Sequence, residues 1–115
     1  MSVLQPVLNR RLVLEARTRM PDGAGGYVES WAALGTHWAE VTARRGREVD
    51  RDGLPAAAVP VRILLRAMAP GRPGRPRPDQ RFREGARTYR IDAVTEADPD
   101  ARFLVCEAME EELGP

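Results

Sequence analysis

RMPDGAGGYVESW, residues 19–31, contains three glycines in four positions between Pro21-Asp22 and two aromatics. This stretch is either a phosphate cradle that opens a helix or a turn between two strands, and the choice decides the fold class. A phosphate loop needs GxxxxGK[ST], and the chain has no lysine at all. A dinucleotide fingerprint needs GxGxxG ahead of a helix. Gly23 and Gly25 supply the first pair, but position 28 is Val28. The residues that follow, YVESW, are strand formers. Pro21, Asp22, Gly23, Gly25 and Gly26 are therefore assigned to a turn, where glycine permits positive φ.

Strands extend from that turn in both directions. Upstream, RRLVLEAR (10–17) sets Leu12, Leu14 and Ala16 against Val13, Glu15 and Arg17, the alternation of a half-buried strand. Downstream, YVESWAAL and THWAEVTAR form one long strand or two short ones broken near Gly35, with Ala39, Val41 and Ala43 on one face. VPVRILLRA (59–67) places Val59, Val61, Ile63 and Leu65 on one face, and Pro60 confines its start to an edge or bulge. QRFREGARTYRIDAVTE reads as a hairpin turning at Glu84-Gly85, with Tyr89, Ile91 and Ala93 pointing one way. DPD (98–100) is a further turn, and ARFLVCEAM is the last strand.

Two segments lack alternation, residues 44–58 and 68–79. The second contains PGRPGRPRP (70–78), which is neither a helix nor an inner strand. The expected architecture is all-β: a single domain over residues 1–115, a small antiparallel barrel or sandwich of about six strands. It has long loops and at most short terminal helices, the best candidates being residues 2–9 and the acidic tail.

With 43% hydrophobic and 30% charged residues, the composition is that of a globular chain, not a disordered one. No apolar run has the length of a membrane-spanning helix, and the start of the sequence does not have the form of a signal peptide. All 18 basic residues are arginine, which excludes Schiff-base and other lysine chemistry. Residues 1–91 carry 17 arginines against 9 acids, whereas residues 92–115 carry 1 against 8. Two outcomes fit this asymmetry: surfaces of opposite charge offered to neighbours, or compensation between adjacent strands.

Catalytic constellations are thin. His37 is the only histidine and Cys106 the only cysteine. Cys106 lies in an apolar strand and is expected to pack as a small core residue. The two together fall short of a zinc ligand set. The carboxylate pairs at Asp98/Asp100 and Glu110–Glu112 lie in a turn and an acidic run. The sequence therefore points away from an enzyme and from any metal or cofactor. Arg72, Arg75 and Arg77 have the charge to follow phosphates, but no aromatics interleave for base stacking. A small barrel that binds nucleic acid is the alternative from another functional class.

The order of a first strand like RRLVLEAR, a PDGAGG turn, Trp31, a WA-x-V strand (Trp38–Val41), GRE at 46–48, G-x-R-x-Y-x-I (Gly85–Ile91) and a closing FLVCEA resembles the phage head–tail joining family. These head-completion or stopper proteins also occur in prophages and gene transfer agents. The resemblance spans roughly residues 8–109, and the Arg-Pro segment and the acidic tail depart from it. It implies a β-barrel without catalytic residues, assembled as a ring of six copies, or alternatively twelve, in the virion neck after synthesis in the bacterial cytoplasm. The implied neighbours are a portal–adaptor ring above, tail terminator or tail tube proteins below, and packaged double-stranded DNA in the channel, contacted without sequence specificity. The family's long loop would correspond to Arg44–Ala58. Interface residues expected on this basis are Arg44, Arg45, Arg47, Glu48 and Arg51; Arg72, Arg75 and Arg77 are expected there from their charge, paired with a neighbouring subunit's carboxylates.

Overall fold

The computed structural model describes residues 5–44 and 59–112. Six strands form a closed, wholly antiparallel barrel: β1 (Arg10–Pro21), β2 (Tyr27–Ala43), β3 (Val59–Arg66), β4 (Arg81–Glu84), β5 (Arg87–Glu96) and β6 (Phe103–Glu112). Their order around the barrel is β1-β2-β3-β6-β5-β4. The seam between β4 and β1 rests on three residue pairs, Val13 with Arg83, Leu14 with Phe82 and Glu15 with Arg81. The expected all-β barrel is observed. Among the described residues there is no helix: residues 5–9 are irregular, and β6 continues through Glu110 and Glu111 to Glu112. The acidic run stays extended because Thr88 and Tyr89 of β5 pair with Glu111 and Glu110 in the ladder.

Inward-facing residues from all six strands build the core. Leu12, Leu14, Ala39, Ile63, Leu65, Phe82, Tyr89, Ile91, Leu104 and Cys106 are fully buried, with Val61 and Ala108 beside them. Cys106 packs as a core residue, as expected, and its burial pushes the thiol pKa up to about 12. Tyr89 keeps its hydroxyl satisfied by donating to Glu84 Oε1 at 3.1 Å, and Arg10 grips the same carboxylate at 2.6 and 2.7 Å.

Two bulges change the strand readings. β2 is one 17-residue strand, not two. The pairing shifts between Leu14–Gly35 and Glu15–Ala33, leaving Leu34 as an extra residue, so the chain bulges without breaking. In β5 the register shifts between Ile91 and Ala93. Tyr89 and Ile91 point inward as expected, but Ala93 is exposed and Val94 packs against the core in its place. An unpaired Asp92 reverses the alternation.

The connection from β3 to β4 has a long way to go, because these strands lie on opposite walls of the barrel. Residues 67–80 must cross one mouth. They do so as a series of turns, with Arg72 N–H donating to Ala69 C=O and Arg75 N–H to Arg72 C=O. Pro76 is fully buried beneath this crossing. Gly74 C=O lies 2.7 Å from His37 Nε2, and Arg75 Nη1 donates to Met68 C=O at 2.7 Å. Internal hydrogen bonds and a buried proline hold the segment in place as a cap.

Candidate assembly interface

Beyond Glu15 and Ala33, β1 and β2 leave the barrel wall and continue as a two-stranded arm. β4 pairs with β1 no further than Glu15, and β3 pairs with β2 only from Ala39 to Ala43. Ala16 to Pro21 pair with Ala32 to Tyr27, which at about 3.3 Å per residue makes an arm roughly 20 Å long. The five residues between the strands, 22–26, form the glycine-rich turn; Pro21, expected within it, is instead the last residue of β1, paired with Tyr27. Asp22 Oδ1 accepts from the N–H of Ala24 at 2.8 Å and of Gly26 at 3.0 Å, which holds the Asp22 carboxyl below its ordinary value. Gly23 and Gly25 sit at φ +83° and +89°, and a Cβ at Gly26 would come within 2.9 Å of Asp22 Oδ2. Replacing Asp22 with Ala leaves those two exposed amides to water in place of their side-chain acceptor. Hydrogen exchange at Ala24 and Gly26 should then speed up roughly fivefold while core amides are unaffected.

The base of the arm is locked to the barrel on its outer face. The Glu15 carboxylate accepts from Arg81 Nε at 2.7 Å and from Arg83 Nε at 2.8 Å, and Glu15 is only 5% exposed. The Arg81 guanidinium also stacks over Trp31, 4.1 Å from the ring centroid, with Arg17 at 5.3 Å. Burial works to raise the Glu15 pKa, but hydrogen bonds and charge from Arg83 and Arg81 outweigh it, and the net shift is downward. Glu84 is likewise lowered, chiefly by its hydrogen bond from Arg10. For both, the folded state binds a proton less readily than the unfolded chain. Their stabilisation is therefore complete above the ordinary glutamate range and is lost as pH falls through the lowered folded values. Thermal melts should be flat from about pH 6 to 8 and fall below about pH 4, with a shallower acid decline in Glu15→Gln.

The tip of the arm is apolar and open. Met20, Tyr27 and Val28 are each more than half exposed, and Arg19 covers one face of Tyr27 at 4.6 Å. A second exposed aromatic, Trp38, lies opposite Arg11 in register and shares a shallow pocket with Arg66. Neither arginine has a carboxylate partner among the described residues.

Of the arginines expected at an interface, Arg44 is half exposed and pairs with Glu107 at 3.3 Å. Arg45, Arg47, Glu48 and Arg51 lie outside the described residues. Arg72 and Arg77 are exposed, and Arg75 is partly buried through its bond to Met68. The charge asymmetry along the chain is largely compensated across strands: Glu107 meets Arg62 and Arg44, Glu110 meets Arg87, and Glu111 meets Arg90. Such exposed pairs contribute little stability each, but they neutralise the acidic strand. His37 is engaged by Gly74 and edge-on to Phe82, and Cys106 is buried. No group of three potential metal ligands exists among the described residues.

A closed core of aliphatic and aromatic side chains, a capped mouth and a projecting arm define a class: a small antiparallel β-barrel with a two-stranded extension. Residues 4–112 match the family described as phage head completion protein. The chain belongs to that family, which is one of structural virion proteins and not of enzymes. It is similar to a chain in the virion of a native gene transfer agent particle, with 50% identity, a TM-score of 0.79, and coverage of 96% of this chain and 100% of that one. A protein from Shigella flexneri 2a, SF1141, shares the fold at 21% identity and a TM-score of 0.59, covering 91% and 92% of the two chains. No curated protein matches.

Proposed function

We propose that this chain is the head-completion subunit of a tailed, phage-like particle. In this role it forms a ring at the neck, between the portal side of the head and the tail. The observation that carries this reading is the half-identical chain, covered over its whole length, within a gene transfer agent virion. The geometry supports it. The core is closed and capped, and among the described residues Met20, Tyr27 and Val28 on the arm and Trp38 on the barrel are exposed apolar side chains that other subunits can cover, beside Val7 and Val59. Within the ring, six copies (or twelve) surround the channel, help to retain packaged DNA through contacts without sequence specificity, and present the surface on which the tail docks.

The test is deletion of the gene in a strain that makes the particles, followed by electron microscopy. The expected result is separate tails beside tailless heads that have lost their DNA. Tailed, DNA-filled particles from the deletion strain would overturn the proposal.

A further inference from the structure

We infer that the arm tip of one copy seats in a cleft of the next copy around the ring, so that arm and cleft together make the intersubunit joint. The inference rests on the ring reading above and adds the contact that builds the ring.

The cleft lies between the base of the arm and the mouth cap and has a volume of about 450 Å³. Its walls include Ala16, Leu34 and Pro73, and Arg72, Arg75 and Arg77 contribute its polar side. These three guanidinium groups have no carboxylate partner among the described residues, and Arg75 donates only to Met68 C=O; Arg11, Arg19 and Arg66 are likewise without one, but only Arg72, Arg75 and Arg77 converge on a single cleft. An apolar wall beside unpaired cations calls for an occupant that is apolar with a carboxylate close by. The arm tip has that composition. Met20, Tyr27 and Val28 are its exposed apolar side chains. Asp22 is exposed at the turn and commits only Oδ1 to backbone N–H groups, leaving Oδ2 to accept from a guanidinium.

The contact must be made between copies. The tip stands roughly 20 Å along a paired ladder from Ala16, which lines the cleft of its own molecule. The Glu15–Arg81–Trp31 cluster fixes the base of the ladder, so the arm cannot fold back. A tip-to-cleft contact uses two different surfaces of the same chain. It is heterologous and closes into a ring when the rotation between copies allows. A cleft of about 450 Å³ has room for a few side chains, and its apolar wall of Ala16, Leu34 and Pro73 matches Met20, Tyr27 and Val28 and not a phosphate backbone.

The experiment introduces Tyr27→Cys and Pro73→Cys together in the full chain, expressed in the particle-forming strain, and treats purified particles with a short thiol cross-linker. Buried Cys106 contributes no reactive thiol. The expected result is a ladder of covalent multimers in the double variant and none in either single variant. Adding Arg72→Glu and Arg77→Glu should reduce the yield about tenfold by placing like charges against Asp22. Tailed particles that contain the double variant but give no covalent dimer would overturn the joint while leaving the neck assignment intact. Absence of the wild-type protein from purified particles would overturn both.

Discussion

Glu15→Ala is expected to lower the melting temperature by about 10 °C. Glu15 is nearly buried on the outer face of the barrel seam, where it alone holds both Arg81 and Arg83. Removing one partner of a buried ion pair typically costs about 3–5 kcal/mol. Here Arg81 and Arg83 keep 20% and 41% of their side-chain surface exposed. Solvent therefore takes up part of the released charge, and about 2–3 kcal/mol is the expected loss. At roughly 4 °C per kcal/mol for a domain of this size, the shift follows. Arg83→Ala should cost less than Arg81→Ala, because Arg81 also stacks on Trp31. Thermal melts of the three variants and of the Glu15/Arg81 double mutant test this ranking. A Glu15→Ala protein that melts within 2 °C or so of wild type would show that the seam does not depend on this carboxylate.

Shortening the arm should abolish joining without unfolding the barrel. Arg17 and Trp31 face each other across the ladder. Replacing residues 18–30 with Asn-Gly closes the hairpin there through a turn whose twist suits two strands. None of the fully buried core residues lies in the excised segment. A cooperative melt with little loss of stability is therefore expected, together with a fall in tailed particles to the background of the deletion strain. Normal numbers of tailed particles would remove the arm from assembly.

The parts of this fold that alternation encodes were legible in the sequence. Val59, Val61, Ile63 and Leu65 read as one face of β3; the last three are buried, whereas Val59, at the strand's first position, is exposed. The glycines after Asp22 read as a turn from the absence of lysine and the strand formers that follow. Bulges are invisible to a two-residue period, and so Ala93 and Val94 exchange faces and the sequence leaves β2 open between one long strand and two broken near Gly35. Glu15 reads as an outward, solvated residue. Its burial depends on arginines 66 and 68 positions away, a contact set by barrel closure and by nothing local. The acidic tail suggested a helix because its charges have no strand signature, and the ladder with β5 decides the matter. The arm was the main omission. Tyr27 and Val28 lie within a strand that the sequence shows, Met20 lies beyond the 10–17 stretch read as β1, and only the register shows that no other strand covers them. A signal was present in the length of β1 and β2, which exceeds what their barrel neighbours can pair.

The most direct test of the neck assignment is a cryo-electron-microscopy reconstruction of the neck in particles from the encoding strain. The account predicts a ring of six-stranded barrels between head and tail into which this chain fits, with each arm directed at the neighbouring copy. A neck whose density is filled entirely by other chains, with this protein elsewhere in the particle or absent from it, would contradict the account.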